Sequence, residues 1–442
     1  MDFSNELQPL VTHKEQHDIV TRIVTLDDIY GGIYFSAQGR DDAEKIKYFI
    51  KNAKEQWNIS YVMLVGGKEE LPVRYAVYYD NSSREYSTVP LLHQLFSPLY
   101  SVESTGVITD LYYADIYDKN GSFCSWDSNQ NGFFGEVTPS GAIDDVDLYP
   151  DVGIGRLLCH SSEEVTVVVN KIINYENTAY GSEWFHNLVL CGGDTHPYTW
   201  QEILIGLAVQ NLTGLSYHIA FEGEYMSELV AILLNNFTAK KYYASSLFGI
   251  KTNRLTAKNM NLAINDGAGL VMFNFHGAPT SIATHPPFNN KRWMPMSFPS
   301  GYNISNVQKL TNGDKLPVIV FSACSCGDFD TIPNPIAWEF VNKKNGGAIA
   351  SFALTTMGDI LPSTACTETM TGHTTMSIFE AYREGIHSIG DLWAQSIIRY
   401  LNDDWAWKIN ENLLKNVLLN YLALEEWILF GDPTLEIGGY SS

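Results

Sequence analysis

Two apolar runs of strand length lie in the second half of the chain, and each ends abruptly in a reactive residue. Residues 270–275 lead directly into His276 and Gly277, and residues 317–323 lead directly into Cys324. Continuous apolar runs of this length are typical of strands buried in a parallel sheet. Ligands of open α/β sheets bind beyond the carboxyl ends of such strands. The pattern therefore puts a histidine and a cysteine where such a fold carries its chemistry.

The remaining pattern alternates strands with helices. It predicts helices over residues 5–18, 41–56, 161–176, 199–211, 225–236, 255–265, 333–344, 369–384 and 389–421. It predicts further strands near residues 16–25 and over 61–65, 152–157, 187–190 and 348–354, with irregular loops over 80–148 and 278–316. This alternation indicates an α/β fold with mainly parallel sheets flanked by helices. We expect an N-terminal subdomain over residues 1–180 and a catalytic subdomain over residues 181–442.

Cys324 and His276 have the chemistry of a thiol nucleophile and its base. Such a pair needs to be adjacent in space and not in sequence. The alternative from the residues alone is that His276 caps a strand and Cys324 is a small buried apolar residue. Cys326, two residues on, gives little support to a zinc site, because zinc-binding cysteines are normally spaced more widely and need two further ligands.

Several separate segments resemble the gingipain family of cysteine peptidases, which is related to clostripain and the caspases. They span residues 7–15, 24–29, 61–67, 149–156, 275–277, 323–329 and 429–437. The resemblance implies a caspase-like fold and an endopeptidase that cleaves protein or peptide substrates through an acyl-enzyme intermediate. It implies Cys324 as the nucleophile, His276 as the base, and the backbone N–H groups of Gly277 and Cys324 as the oxyanion donors.

The resemblance also bears on a third catalytic residue and on specificity. Asp151 occupies the family's position for a carboxylate that orients the histidine, although an aspartate there can equally cap the start of a strand. Cleavage after arginine or lysine is implied as well. The alternative is an apolar pocket, since Trp293, Phe298 and Tyr302 lie in the loop after His276.

Residues 127–136 have the composition of a calcium-binding loop. Oxygen-bearing side chains alternate and are followed by glycine and glutamate, in a sequence similar to stretches in microbial members of the same family. Because Ca²⁺ takes six to eight oxygen ligands, we expect one ion bound by Asp127, Asn129, Asn131, the carbonyl of Phe133, and Glu136. Glu136 stands at position ten, so the loop is not a standard EF-hand. A polar loop with an Asn-Gly turn is the alternative.

Composition further limits the kinds of function that the protein can have. The chain of 442 residues has 50 acidic and 28 basic residues, a net charge of −22. That balance argues against binding nucleic acid or an anionic membrane surface. Residues 1–20 show no signal peptide and no run is long enough to cross a membrane. The resemblance nevertheless implies a secreted or cell-surface protein. A catalytically silent binding or adhesion module is the alternative function, and a nucleotide-binding protein is disfavoured because no phosphate loop is present.

Overall fold

The computed structural model describes residues 2–79, 106–197, 220–248, 252–295, 301–414 and 417–441. Its strands are β1 (Tyr61–Val65), β2 (Tyr75–Tyr78), β3 (Gly106–Ile108), β4 (Phe134–Thr138), β5 (Gly141–Ala142), β6 (Gly153–Leu157), β7 (Asn187–Gly192), β8 (Thr238–Tyr243), β9 (Asn253–Arg254), β10 (Leu270–Asn274), β11 (His276–Ala278), β12 (Ser281–Ala283), β13 (Tyr302–Asn303), β14 (Val318–Ser322), β15 (Ala350–Leu354) and β16 (Trp427–Phe430).

The helices of the same residues comprise thirteen α-helices and a few tighter or wider turns. The α-helices are α1 (Ser4–Glu15), α2 (Leu26–Tyr30), α3 (Asp42–Trp57), α4 (Leu111–Ala114), α5 (Ser162–Thr178), α6 (Glu222–Leu233), α7 (Ala257–Asn265), α8 (Ile304–Val307), α9 (Ile336–Asn342), α10 (Met370–Arg383), α11 (Ile389–Leu401), α12 (Asp404–Lys408) and α13 (Leu418–Glu425). Short 3-10 helices cover Glu183–His186, Ala244–Phe248 and Ser363–Thr367, and a π-helix covers Ile409–Leu414.

A nine-stranded sheet organises the described residues, in the order β1-β6-β16-β15-β14-β10-β7-β8-β9. β15 and β16 pair antiparallel, and the other neighbouring strands pair parallel. The two apolar strands singled out in the sequence, β10 and β14, are direct neighbours near the middle of this sheet. The predicted α/β class with a mainly parallel sheet is therefore confirmed.

Helices cover both faces of the sheet. α6 and α10 pack on one face, where they contact β7, β10 and β14, while α7 and α9 contact β7, β8, β15 and β16. Both apolar strands are almost completely buried along their length. A strand buried on both faces has no polar alternation, which is why these runs could be identified from sequence.

Several predicted elements differ from the structure. Residues 389–421 form more than one helix, because Asp403 accepts hydrogen bonds from the N–H groups of Trp405 and Ala406 and so starts the separate helix α12. No strand forms between residues 16 and 25. The segment 80–148 holds β3, β4 and β5 in its described part, and they join β2 in a small sheet. The helix predicted over 199–211 lies outside the described residues.

The large sheet crosses the predicted subdomain boundary at residue 180. β1 and β6 precede that residue, and β16 from the end of the chain lies between β6 and β15. Arg156 of β6 is fully buried and binds the carboxylate of Asp110 and the carbonyl of Gly66. The division into two subdomains stays a prediction, while the sheet itself is continuous.

A search of the described helices found none with the length and apolar character needed to span a bilayer.

Candidate active site

His276 and Cys324 are brought together by the pairing of β10 with β14. The two strands are in register from Leu270 opposite Val318 to Asn274 opposite Ser322. The pairing continues one residue further, since the N–H of Phe275 donates to the carbonyl of Ser322 at 3.2 Å. Extending this register by one more residue sets the backbone of His276 opposite that of Cys324. Neighbouring strands are about 4.8 Å apart, so the two backbones are separated by about that distance.

The turn after Cys324 is fixed by backbone contacts to the segment that follows β15. Ser325 has a φ of 51°, in the left-handed region, and its N–H donates to the carbonyl of Thr356 at 2.7 Å. The N–H of Gly327 donates to Leu354 at 2.8 Å. The chain therefore turns sharply at the end of β14 and leaves Cys324 at the tip of the strand, partly accessible to solvent.

The proton of the His276 ring is fixed by a backbone carbonyl. Nε2 lies 2.9 Å from the carbonyl oxygen of Thr195. A carbonyl oxygen can only accept, so Nε2 is the nitrogen that carries the hydrogen. Nδ1 is then the basic nitrogen of the neutral ring, which is the form that a general base requires.

Aromatic rings surround His276 on its other sides. The ring centres of His285 and Trp293 each lie 5.4 Å from that of His276, and these two rings contact each other at a tilt of 41° with their centres 3.8 Å apart. Trp293 is 48% exposed, so it forms an apolar rim of the cleft beside the histidine. Burial, followed by the charge of His285, lowers the pKa of His276 to about 4, against an opposing effect of the Thr195 carbonyl.

The thiol of Cys324 is held as a neutral group. Its Sγ donates to the carbonyl of Gly358 at 3.2 Å. Burial raises the pKa of Cys324 to about 12, and the nearby carboxylates of Asp359 and Glu426 act in the same direction. Thiol and imidazole are thus both neutral at rest, in contrast to an ion pair of thiolate and imidazolium.

Gly277 is required by the close approach of the two strand ends. A methyl group on its Cα would lie 2.1 Å from the carbonyl oxygen of Cys324 and 2.8 Å from the Sγ of Cys326. β11 pairs with β12 through a two-residue turn, with Ala278 opposite Ser281 and Gly277 opposite Ile282. In such a hairpin the pair flanking the turn is hydrogen-bonded and the next pair is not, so the N–H of Gly277 points away from β12.

The second predicted oxyanion donor is the N–H of Cys324. In the described part of the chain, this N–H group donates to no backbone carbonyl. Both predicted donors therefore have N–H groups that the surrounding backbone does not use. Their role in catalysis stays a prediction.

Asp151 does not reach His276, so its predicted role as the residue that orients the histidine is wrong. It precedes β6, which is four strand spacings or roughly 19 Å from β10 in the sheet. Its carboxylate accepts hydrogen bonds from the N–H groups of Ile116 and Tyr117 at 2.8 and 2.9 Å. The alternative of a capping aspartate is the one that the structure shows.

Four residues of the site were not identified from the sequence. Thr195 and Gly358 act through backbone carbonyls, which leave no signature in side-chain type. Asp359 is a solvent-accessible carboxylate beside the residue that binds the thiol. Glu222 is buried under the Thr195 segment. One signal was available for Thr195, since the apolar strand β7 also ends abruptly, in Gly192 and Gly193, beside the His276 strand.

The residues of the predicted calcium loop lie close together in the structure. Asp127 accepts hydrogen bonds from the N–H groups of Asn131 and Gly132 at 2.9 and 3.1 Å. The side-chain amides of Asn129 and Asn131 both donate to Glu136 at 2.8 Å. Their side-chain oxygens accept the N–H groups two residues further on, which bends the loop inward.

Arg40 complicates the fit of this loop to a cation. Its guanidinium binds the carboxylate of Asp127 at 2.6 Å, so the protein itself supplies a positive charge there. The phenol of Tyr79 donates to the other oxygen of Glu136 at 2.6 Å. No group of three or more His, Cys, Asp or Glu side chains in the described residues is arranged to hold a metal. The loop thus fits calcium in its donor types, while Arg40 competes for Asp127.

The carboxylates of Asp115 and Asp118, which precede the loop in the sequence, lie elsewhere. Asp115 is buried against the indole N–H of Trp126 at 2.7 Å. Asp118 accepts the N–H groups of Asn120 and Ser122 within its own turn. Neither joins Glu136.

The sheet, with a cysteine and a histidine at the ends of two neighbouring strands, has the caspase-like α/β arrangement. The chain belongs to peptidase family C25, whose family model matches residues 1–438. This confirms the family resemblance found in the sequence.

Individual relatives are distant. Gingipain R2 from Porphyromonas gingivalis strain ATCC 33277 and Gingipain R1 from Porphyromonas gingivalis are each 22% identical to this chain over 329 residues, which is 74% of this chain. That match covers 31% and 23% of the two relatives, so this chain corresponds to less than a third of their length.

Solved structures show the same fold. The crystal structure of the Arg specific cysteine proteinase gingipain R (RGPB) matches with a TM-score of 0.62 at 18% identity, over 98% of this chain and 76% of that chain. A structure described only as a protease matches with a TM-score of 0.58 at 15% identity, over 98% and 76% of the two chains.

The raised pKa of the thiol gives a direct prediction for alkylation of Cys324. Below a pKa of about 12 the thiolate fraction grows tenfold with each pH unit, so the rate of alkylation by iodoacetamide should keep rising from pH 5 to pH 9. The measurement is the pH dependence of that rate, with the modified residue mapped by mass spectrometry. A plateau with an inflection below neutral pH would show a thiolate–imidazolium pair instead.

Proposed function

We propose that the protein is a cysteine endopeptidase that cleaves peptide bonds through a Cys324–His276 dyad. The single observation that supports this most strongly is the β10–β14 register, because its extension by two residues brings the backbone of Cys324 next to that of His276, whose Nδ1 is basic. A binding module that has lost catalysis has no need of this arrangement. The substrates of the proposed peptidase are proteins or peptides.

The chemistry follows from a thiol and an imidazole that are both neutral at rest. As the Cys324 sulfur attacks the scissile carbonyl carbon, Nδ1 of His276 takes the thiol proton. The N–H groups of Gly277 and Cys324 stabilise the negative oxygen that forms. When the C–N bond breaks, the imidazolium gives its proton to the leaving amine and a thioester remains. Water, deprotonated by His276, then releases the acid and restores the thiol.

Replacement of the two neighbouring cysteines tests the assignment of the nucleophile. Cys324→Ala should abolish hydrolysis of a fluorogenic peptide, because no other described thiol lies at the tip of β14. Cys326→Ala should keep most of the activity, since that side chain is completely buried beneath Gly277. The opposite result would place the nucleophile two residues further along the chain.

We further propose that the residue before the scissile bond is arginine or lysine. Gingipain R, which has the same fold, is described as an Arg specific proteinase. Asp359 is accessible in the cleft and follows Gly358, the residue that holds the thiol. Glu426 is fully buried, and both of its carboxylate oxygens are without hydrogen-bond partners in the described part of the chain. Burial raises the pKa of the Cys324 thiol and of Glu426; both carboxylates add to the rise at the thiol, and Asp359 adds to that at Glu426.

Two neighbouring carboxylates without a cation repel one another, and a basic substrate side chain would relieve that repulsion. No basic side chain of the described residues forms an ion pair with Asp359 or Glu426. Two other carboxylates, those of Asp328 and Glu163, are less well placed for binding a basic side chain. Asp328 accepts hydrogen bonds from Asp330 and Thr331 in its own turn, and Glu163 is 81% exposed on α5.

Asp359→Asn should therefore lower kcat/KM for an arginine substrate by about 10- to 100-fold, the size of one charge-assisted hydrogen bond. The same change should hardly alter kcat/KM for a matched norleucine substrate. Glu163→Gln is the control and should leave the ratio of the two values unchanged. If Asp359→Asn reduced both substrates equally, or if the parent enzyme preferred norleucine, the apolar rim at Trp293 would become the better candidate for specificity.

The predicted calcium ion is also kept as a proposal, with a structural role. Asp127, Asn129, Asn131, the carbonyl of Phe133, and Glu136 would hold the ion and order the segment before β4. An extracellular location, as the resemblance implies, would supply calcium. Two carboxylates in the loop suggest weak affinity, about 10⁻⁴ to 10⁻³ M.

Thermal unfolding with calcium and with chelator tests this ion. Calcium that binds only the folded chain should raise the melting temperature, and Asp127→Ala should remove the rise. Arg40→Gln should increase the calcium-dependent rise, because it removes the competing guanidinium from Asp127. A parent protein with equal melting temperatures in both conditions would leave the segment as a polar loop closed by Arg40.

A further inference from the structure

Glu222 is a completely buried carboxylate that binds backbone N–H groups from two separate segments. It is the first residue of α6. One oxygen accepts the N–H groups of Thr195 and His196, at 3.1 Å each. The other accepts the N–H of Ser363 at 2.5 Å. A carboxylate can do this because both of its oxygens are acceptors.

Each of these two segments holds one member of the dyad. The carbonyl of Thr195 binds Nε2 of His276 at 2.9 Å. Ser363 ends the segment after β15 in which the carbonyl of Gly358 binds the Cys324 thiol at 3.2 Å. The carboxylate therefore lies between the backbone that fixes the imidazole and the backbone that fixes the sulfur.

The position of Glu222 is itself held by backbone contacts between its helix and the sheet. The start of α6 packs against the ends of β7 and β10, where the N–H of Gly223 donates to Gly193 at 3.0 Å. The side-chain amide of Asn274, at the end of β10, donates to the carbonyl of Gly223 and to the hydroxyl of Ser227. A methyl group on Gly223 would lie 2.6 Å from the carbonyl oxygen of Asn274, so helix and strand are in direct backbone contact.

We propose that Glu222 is a positioning residue of the active site, which ties the Thr195 segment and the Ser363 segment together so that His276 and Cys324 stay aligned. This inference rests on the proposed peptidase function. It adds a residue that touches neither substrate nor reacting atom.

Glutamine tests the role of the carboxylate because it has nearly the same shape and only one acceptor oxygen. In Glu222→Gln the amide nitrogen must face either Ser363 or the Thr195 pair, which places a donor against a donor. One of the two segments then loses its anchor.

Glu224 is a matched control on the same helix. Its carboxylate is also buried and accepts the N–H and hydroxyl of Ser245, at 2.8 and 2.5 Å. Burial raises the pKa of Glu222 and of Glu224 alike to about 7. Glu224→Gln therefore removes a comparable buried acceptor without touching either catalytic segment.

The experiment compares the two variants in three measurements: melting temperature, peptide hydrolysis, and alkylation of Cys324 by iodoacetamide at a fixed pH. If the two variants have the same melting temperature, Glu222→Gln should lower kcat by about 10²-fold with little change in KM. This is the effect expected when catalytic groups are displaced by about 1 Å. Its Cys324 should be alkylated faster than in the parent, because a loosened cleft is more hydrated and the thiol pKa falls towards its ordinary value. Glu224→Gln should match the parent in both kcat and alkylation.

The alkylation rate separates this inference from the peptidase proposal. A parent protein that cleaves peptides while both glutamine variants behave alike would overturn the role of Glu222 and leave the peptidase intact. A parent without peptidase activity, in which only Glu222→Gln exposes the thiol, would overturn the function and leave the positioning role. If kcat and melting temperature fell equally in the two variants, Glu222 would only stabilise the fold and would not position the dyad.

Discussion

The parallel pairing of β10 with β14 is the constraint on which the rest of the site depends. It sets the end of one strand opposite the end of the other, so that His276 and Cys324 follow from one continuous register. Both strands are buried on both faces, and a shift in that register would have to move apolar side chains out of a packed core. The geometry of the dyad is therefore fixed by the core of the fold, and loops contribute only its surroundings.

The surroundings of the dyad differ on its two sides. The histidine side is aromatic, with Trp293 and His285 against the ring, and it favours the neutral imidazole. The cysteine side carries the carboxylates of Asp359 and Glu426, which favour the neutral thiol. These surroundings keep both groups uncharged at rest. The hydrogen-bond acceptors that hold the two groups are backbone carbonyls, that of Thr195 for the imidazole and that of Gly358 for the thiol.

The two reactive side chains at strand ends could be selected from sequence. The runs that became β10 and β14 have no polar alternation, and their abrupt ends pointed to His276 and Cys324. Asp151 was assigned to the histidine from the family resemblance, and its position in the sequence does not show where its strand lies in the sheet. The strand order, in which β16, β15 and β14 lie between β6 and β10, has no local signature in the sequence.

Interactions made by the backbone had the least visible signals. Thr195 and Gly358 contribute carbonyl groups that every residue type carries. Glu222 is one of 50 acidic residues in the chain, and only its burial and its three backbone donors set it apart. Such residues emerge once the strand order is known, because their partners come from segments far apart in sequence.

A crystal structure of the protein after reaction with a peptidyl chloromethyl ketone that ends in arginine would identify both the nucleophile and its surroundings. We expect a covalent bond at the Sγ of Cys324, with His276 beside it. We also expect the former carbonyl oxygen of the inhibitor within about 3 Å of the N–H groups of Gly277 and Cys324. A bond at Cys326 or at another residue, or a His276 ring turned away from the inhibitor with that oxygen in solvent, would show that the proposed dyad is wrong.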